Sequence, residues 1–192
     1  DVPGTASTLS LKFRIDSHVT LPVFLSGENL NAVAFDQEVL ESRLRADFAP
    51  THLPFCIDFT DQGNSVLYTG RGWAPPEIWG RWTDGTHAEM KIRFTEKPRR
   101  PLHLAIAAHA MCLPGLPPVE ARINANGETR CNASFPKGRE KILKFKIPAA
   151  ALQSGECKIT FEIKNAQSPG LHGNSDDRRQ LGMGIRRIDC RW

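Results

Sequence analysis

Along most of the chain, hydrophobic residues alternate with polar ones. Leu9, Leu11, Phe13 and Ile15 are separated by Ser10, Lys12 and Arg14, the pattern of a strand with one dry and one wet face. Val19 to Leu25 reads as a second strand interrupted by Pro22, and Phe55, Ile57 and Phe59 as another, ending in the turn Asp61-Gln62-Gly63-Asn64. Val66 to Tyr68 then leads into a tryptophan-rich stretch. After it, Met90, Ile92 and Phe94 oppose Glu89, Lys91 and Arg93, and Leu102, Leu104, Ile106 and Ala108 oppose His103 and Ala105. Ala121 and Ile123 flank Arg122; Leu143, Phe145 and Ile147 oppose Lys144 and Lys146; Cys157, Ile159, Phe161 and Ile163 oppose Lys158, Thr160 and Glu162. Ile188, Cys190 and Trp192 share one face of a last strand. Only Phe35, Val39, Leu40 and Leu44 recur at helical spacing, which predicts a helix over Asp36–Asp47. Eight or more short strands with Pro- and Gly-bearing turns between them predict an all-β fold. The expected form is an antiparallel β-sandwich, jelly-roll-like, with at most one or two short helices. Residues 51–192 read as the sandwich. Residues 1–50 read as N-terminal strands and a short helix, either part of the same sandwich or a small preceding unit.

Two segments do not fit a plain strand-and-turn account. The first, Gly72 to Gly85, holds Trp73, Trp79 and Trp82 together with Pro75, Pro76, Glu77 and Arg81. The two prolines hold the backbone extended. A strand begun at Ile78 would put Trp79 and Arg81 on one face, and Thr83-Asp84-Gly85 reads as a turn. The second, Ser168 to Ile185, begins as a glycine-rich loop carrying Asn174, Asp176, Asp177, Arg178 and Arg179. A polar loop of this length invites a binding role, and an Asp–Arg network that pins it is the simpler structural reading.

Charge adds an asymmetry. Residues 1–96 carry 8 Lys+Arg against 13 Asp+Glu (net −5), and residues 97–192 carry 17 against 8 (net +9), for +4 overall. A basic half raises an anionic polymer as partner. However, Lys141, Lys144, Lys146, Lys158 and Lys164 alternate with apolar residues as the wet faces of strands do, so nucleic acid is not the expected ligand. The five cysteines show no CxxC pairing, and the six histidines show no ligand spacing, so no metal site is expected. Calcium would need several oxygen donors, of which Asn174, Asp176 and Asp177 supply some. The longest apolar run, Leu102 to Met111, is interrupted by His103 and His109 and is too short to span a bilayer. No direct membrane insertion is expected, and no cofactor fingerprint, P-loop or nucleophile elbow appears. The chain opens in Asp1-Val2-Pro3-Gly4, as a mature product or an excised domain would.

Taken in order, the motifs Gly-Trp-x-x-Pro-Glu-x-Trp-Gly-Arg-Trp-Thr-x-Gly at Gly72–Gly85 and Ser-Pro-x-x-x-x-x-Ser-x-Asp-x-Arg-x-Leu-Gly-x-Gly-Ile at Ser168–Ile185 resemble a known type of domain. It is a β-sandwich accessory domain found at the ends of bacterial polysaccharide-modifying enzymes, among them phosphoglycerol transferases and some glycosyltransferases. The resemblance covers roughly residues 55–192 and leaves the first fifty uncovered. It implies a non-catalytic, carbohydrate-related role beside a parent transferase domain, in a periplasmic or cell-envelope setting.

Sugar rings present an apolar C–H face and a rim of hydroxyls, so a glycan site wants an exposed aromatic and planar polar groups. On that ground Trp73 and Trp79 are the candidate stacking residues. Glu77, Arg81, Asn174, Asp176, Asp177 and Arg178 are the candidate hydrogen-bonding residues for a bacterial polysaccharide or oligosaccharide. No catalytic residue is assigned. A glycoside hydrolase or lyase using Glu77 with Asp176 or Asp177 is the enzymatic rival, weakened because Arg81 beside Glu77 would keep it ionised, a poor general acid. A protein-docking module using the same Trp and Arg residues is the third reading. A flat apolar patch would favour docking, and a polar groove would favour glycan.

Overall fold

A computed structural model of the chain describes residues 10–15, 19–24, 54–94, 96–172 and 175–192. The helix expected over Asp36–Asp47 lies outside the described residues. The chain divides into two compact units, Asp1–Gln37 and Glu38–Trp192. In the first, β1 (Ser10–Ile15) and β2 (Val19–Phe24) form an antiparallel ribbon in which Pro22 pairs with Lys12. Both strands of a two-stranded ribbon are edges, so a proline without an N–H is tolerated there.

The second unit holds β3 (Phe55–Asp58), β4 (Arg81–Asp84), β5 (His87–Arg93), β6 (Leu102–Ala110), β7 (Val119–Ala125), β8 (Glu128–Phe135), β9 (Lys141–Ile147), β10 (Glu156–Lys164) and β11 (Leu181–Arg191). One four-residue helix, α1 (Pro169–His172), precedes β11. The pairings are nested: β7 with β8, β6 with β9, β5 with β10, and β4 with β11, all antiparallel. Such nesting is that of a long hairpin rolled over on itself. It yields a four-stranded sheet, β5-β10-β7-β8, and a five-stranded sheet, β3-β11-β6-β9 with β4 also on β11. The second unit is therefore an antiparallel β-sandwich of jelly-roll order, as the alternation predicts.

The inner faces bury the predicted apolar positions, and with them Phe135 of β8. Ile57, Phe59, Met90, Ile92, Leu104, Ile106, Ile123, Phe135, Ile147, Phe161 and Ile188 are all at most 2 % exposed. Cys157 and Cys190 lie in this core, where burial pushes both thiols up, the first to about 12. All five cysteines are free.

The two outer faces differ. On the four-stranded sheet, Arg122 opposes Glu162 at 3.5 Å, Lys158 reaches Glu89 at 2.8 Å, and Lys91 and Arg93 share Glu156 at 3.3 and 3.0 Å. Charges of opposite sign thus tile that face across the strands. β8, at its edge, exposes half of its residues, and its alternation is confined to Cys131–Phe135 after a polar start at Glu128–Arg130, so the sequence pattern marks it weakly. Val66–Tyr68 also departs from the strand reading, since Ser65–Leu67 is a single 3-10 turn.

Phe161, wholly buried on central strand β10, is the most direct probe of this core. Phe161→Ala should lower the unfolding free energy by about 3–5 kcal/mol in urea denaturation. Glu120→Ala, on the exposed face, should change it by less than about 0.5 kcal/mol. A Phe161→Ala loss no greater than the Glu120→Ala change would contradict the packing.

Candidate functional site

The tryptophan-rich segment is a ribbon folded back on itself. Gly72 to Ala74 runs extended beside Trp82 to Asp84: the Ala74 N–H donates to the Trp82 carbonyl at 3.0 Å, and the Asp84 N–H to Gly72 at 2.9 Å. Between the two halves, Glu77 and Gly80 exchange backbone hydrogen bonds of 2.7 and 3.1 Å and enclose a two-residue turn of Ile78 and Trp79. The strand expected from Ile78 therefore begins only at Arg81, and Trp79 does not share a strand face with it. Gly80 makes the turn possible. Its φ is +154°, and a side chain there would run into the Ile185 carbonyl of β11.

The turn lays its aromatic residues on the outer face of the five-stranded sheet, apart from the main core. Trp79, Trp82 and His109 form a triangle with ring centroids 4.6–5.0 Å apart and steep interplanar angles of 61–75°. Edge-to-face contacts of this kind suit the ring quadrupoles. Gly184 of β11 lies beneath: a Cβ there would come within 2.7 Å of the Trp79 ring and 2.9 Å of His109. Trp82 is buried and Trp79 half-buried, with Leu181, Ala74 and Met111 completing this second apolar cluster. Burial among these groups pushes the His109 imidazole below its ordinary value, against a smaller opposite pull from Glu140.

Polar groups lock the corner from outside. One Glu77 oxygen accepts the Trp79 indole N–H at 2.7 Å, and the other accepts Nη1 of Arg179 at 3.0 Å. Arg179 also grips Asp177 through Nε and Nη2, the latter at 2.6 Å. This guanidinium holds the Asp177 carboxyl below the usual carboxylate range and is itself stabilised as a cation. The loop is tied down further where the Gln180 N–H donates to Asp84 Oδ1 at 2.9 Å and the Gly85 N–H to the Gln180 carbonyl at 2.8 Å. Gln167, buried, accepts the Leu113 N–H at 2.7 Å and donates to the Pro117 carbonyl at 2.9 Å.

The structure thus brings together Glu77, Trp79 and Asp177 among the sequence-predicted residues. It places Trp73 elsewhere: its indole N–H donates to the Glu89 carbonyl at 2.9 Å, and its ring packs between Phe59 and Phe161 at 5.2 and 5.5 Å, against the main core. Arg81 departs from the expected sugar-facing role, because its guanidinium bonds the Ala74 carbonyl and Thr69 Oγ1 inside the ribbon. The arginine beside Glu77 is Arg179, not Arg81. Arg178, the arginine singled out from the sequence, is exposed, as is Asp176. Asn174 lies outside the described residues. Arg179 and His109 join the site without being among the candidates expected from the sequence. The signal for Arg179 is the motif itself, whose Asp-x-Arg falls on Asp177 and Arg179 and passes over Arg178.

Glu77 and Asp177 share one guanidinium, so both could flank a ligand. Asp177 is held ionised and is not set up to deliver a proton to a leaving group, and both Glu77 oxygens are engaged by N–H donors. Among the described residues no group of three or more His, Cys, Asp or Glu could hold a metal ion. No helix among them is long and apolar enough to cross a membrane.

The depressed His109 makes the stability of the fold depend on pH. The unfolded chain binds a proton at this residue more readily than the folded one. Its contribution to stability is therefore complete above the unfolded value, about 6.5, and is lost as pH falls from there through the folded value. The thermal midpoint should drop between pH 7.5 and 5.5, and drop less in His109→Gln. Identical pH profiles for the two proteins would contradict the buried neutral ring.

No family model and no curated protein matches the chain. Solved structures do. A family 35 carbohydrate-binding module from an environmental isolate matches at 15% identity and TM-score 0.36, over 65% of this chain and 76% of its own. The carbohydrate-binding module CBM36, in complex with calcium and xylotriose, matches at 11% identity and TM-score 0.37, over 71% of this chain and 98% of its own. Latent PorU from Porphyromonas gingivalis matches at 10% identity and TM-score 0.45, over 75% of this chain but only 13% of PorU. Carbohydrate-binding modules are thus among the structural neighbours. At these identities and scores the likeness adds nothing beyond the fold already described, and none of it supports the phosphoglycerol transferase setting that the sequence motifs imply.

Proposed function

We propose that the chain binds a bacterial polysaccharide or oligosaccharide without turning it over. In this reading it serves as the accessory domain of a larger glycosyltransferase or phosphoglycerol transferase of the periplasm or cell envelope. The observation that carries the reading is the corner at Glu77. One carboxylate fixes the indole of Trp79 from one side and Arg179 from the other, so a half-buried aromatic and a planar Asp177–Arg179–Glu77 ladder are held ready side by side. Ordering these groups before the ligand arrives removes an entropic cost of binding. Asp176 and Arg178, exposed on the same loop, are the adaptable polar contacts at its rim. The parent enzyme and its setting rest on the motif resemblance alone.

Docking to a partner protein is the second reading. What favours it is Ile78, which projects from the tip of the turn at 85 % exposure next to Trp79.

Isothermal titration of the 192-residue chain with neutral and acidic bacterial oligosaccharides separates the two. A single stacking indole contributes about 1–2 kcal/mol, so Trp79→Ala should weaken glycan affinity roughly 5- to 30-fold. Ile78→Ser should leave it within about twofold. Wild-type affinity in Trp79→Ala, or no heat with any glycan, would overturn the proposal.

A further inference from the structure

The outer face of the five-stranded sheet continues away from the tryptophan corner along β6. From His109 the outward positions of that strand run Ala107, Ala105, His103, a distance of about 20 Å at the rise of a strand. The two alanines form a low floor. On one side β9 sets Ile142, Lys144 and Lys146 opposite Ala107, Ala105 and His103; on the other β11 sets Arg187, Asp189 and Arg191 opposite the same three. The flanking rows stand two strand spacings apart, about 9.6 Å. At the far end Lys144, Lys146, Arg191, His103 and Ala105 line a hollow of about 280 Å³.

The charge in this trough is not neutralised. Asp189 is taken by Arg187 at 3.2 Å. Lys144, Lys146 and Arg191 have no ion pair and no side-chain hydrogen bond among the described residues. The outer face of the other sheet, where cation and carboxylate alternate across the strands, is built differently. Like charges held close on a sheet repel one another, and a polyanion laid between them relieves that repulsion.

We infer that this trough takes an anionic polysaccharide, one bearing carboxylate, sulfate or phosphate groups. The chain would lie along β6 with its apolar ring faces on Ala105 and Ile142, over the buried Ala107, and its anionic groups on Lys144, Lys146 and Arg191. The inference rests on the glycan reading of the Trp79 corner, at which the trough begins, and adds the charge class of the ligand. A single-stranded nucleic acid would need aromatic platforms for its bases. Between the two basic rows His103 offers one such ring, since Phe145 packs against the core and Ala105 and Ala107 fill the rest of the floor, too few for successive bases.

The probes are an oligogalacturonate, a neutral oligosaccharide of equal length and an oligothymidylate, each titrated into the full chain. The oligogalacturonate should bind tightest, and its affinity should fall roughly tenfold between 50 and 200 mM salt. The double variant Lys144→Ala/Lys146→Ala should weaken it about tenfold without changing the thermal midpoint by more than about 2 °C, because both side chains are exposed. Equal affinity for the neutral sugar, wild-type affinity in the double variant, or tighter binding of oligothymidylate would overturn the inference. If Trp79→Ala loses neutral and acidic sugars alike while the double variant binds normally, the glycan reading stands and this inference falls. If the double variant alone loses binding, the anion site stands and the Trp79 corner is removed from it.

Discussion

Strand β11 does two jobs at one edge. Its C-terminal half, from Arg187 to Cys190, pairs with β3, and its N-terminal half, from Leu181 to Ile185, pairs with β4. β4 is the returning half of the tryptophan ribbon, and Leu181 directly follows the polar loop. Backbone pairing alone therefore brings together two segments about a hundred residues apart. The side chains add precision to a meeting that the sheet already imposes: Glu77 to Arg179, Asp84 to the Gln180 N–H, and Thr83 Oγ1 to the Met183 N–H at 2.9 Å. Because the register is fixed by ladder hydrogen bonds, Arg179 meets Glu77 without a search, and the indole of Trp79 is held in one pose.

That geometry also divides the labour among four similar-looking residues. Trp73 and Trp79 lie six positions apart, yet the fold-back of the ribbon sends one ring inward against Phe59 and Phe161 and keeps the other on the outside over Gly184. Arg81 and Arg179 are separated in the same way. The first braces the ribbon through Thr69 and Ala74, and the second bridges the ribbon to the loop. The two outer sheet faces complete the division, one neutralised by cross-strand ion pairs and the other carrying, at the end of β6 away from the tryptophan corner, cations unpaired among the described residues.

Much of this was legible in the residue pattern. The strands carrying Met90–Ile92, Leu102–Ala108, Leu143–Ile147 and Cys157–Ile163 each bury alternate residues against one core, so period two is written plainly in them. β8 was hard to see, because its first residues, Glu128 to Arg130, are all polar and its inward positions Cys131, Ala133 and Phe135 include only one large hydrophobe. The turn at Ile78–Trp79 was hidden by the apparent alternation Ile78, Gly80, Trp82. What breaks that alternation is the reversal at Gly80, a backbone property that hydropathy does not record. His109 was read only as an interruption in an apolar run. Its place in the aromatic triangle depends on a partner strand and a missing Cβ at Gly184, neither of which is local in sequence.

The central claim is that one indole, and not its neighbour in the ribbon, faces the ligand. A ¹⁵N-resolved spectrum reports each of the four tryptophan indole N–H groups separately, so a glycan titration followed on those signals tests the claim residue by residue. The Trp79 signal should shift progressively with ligand while that of Trp73, bonded to the Glu89 carbonyl, stays in place. Movement of Trp73 with Trp79 unmoved, or binding that leaves all four unchanged, would contradict the account.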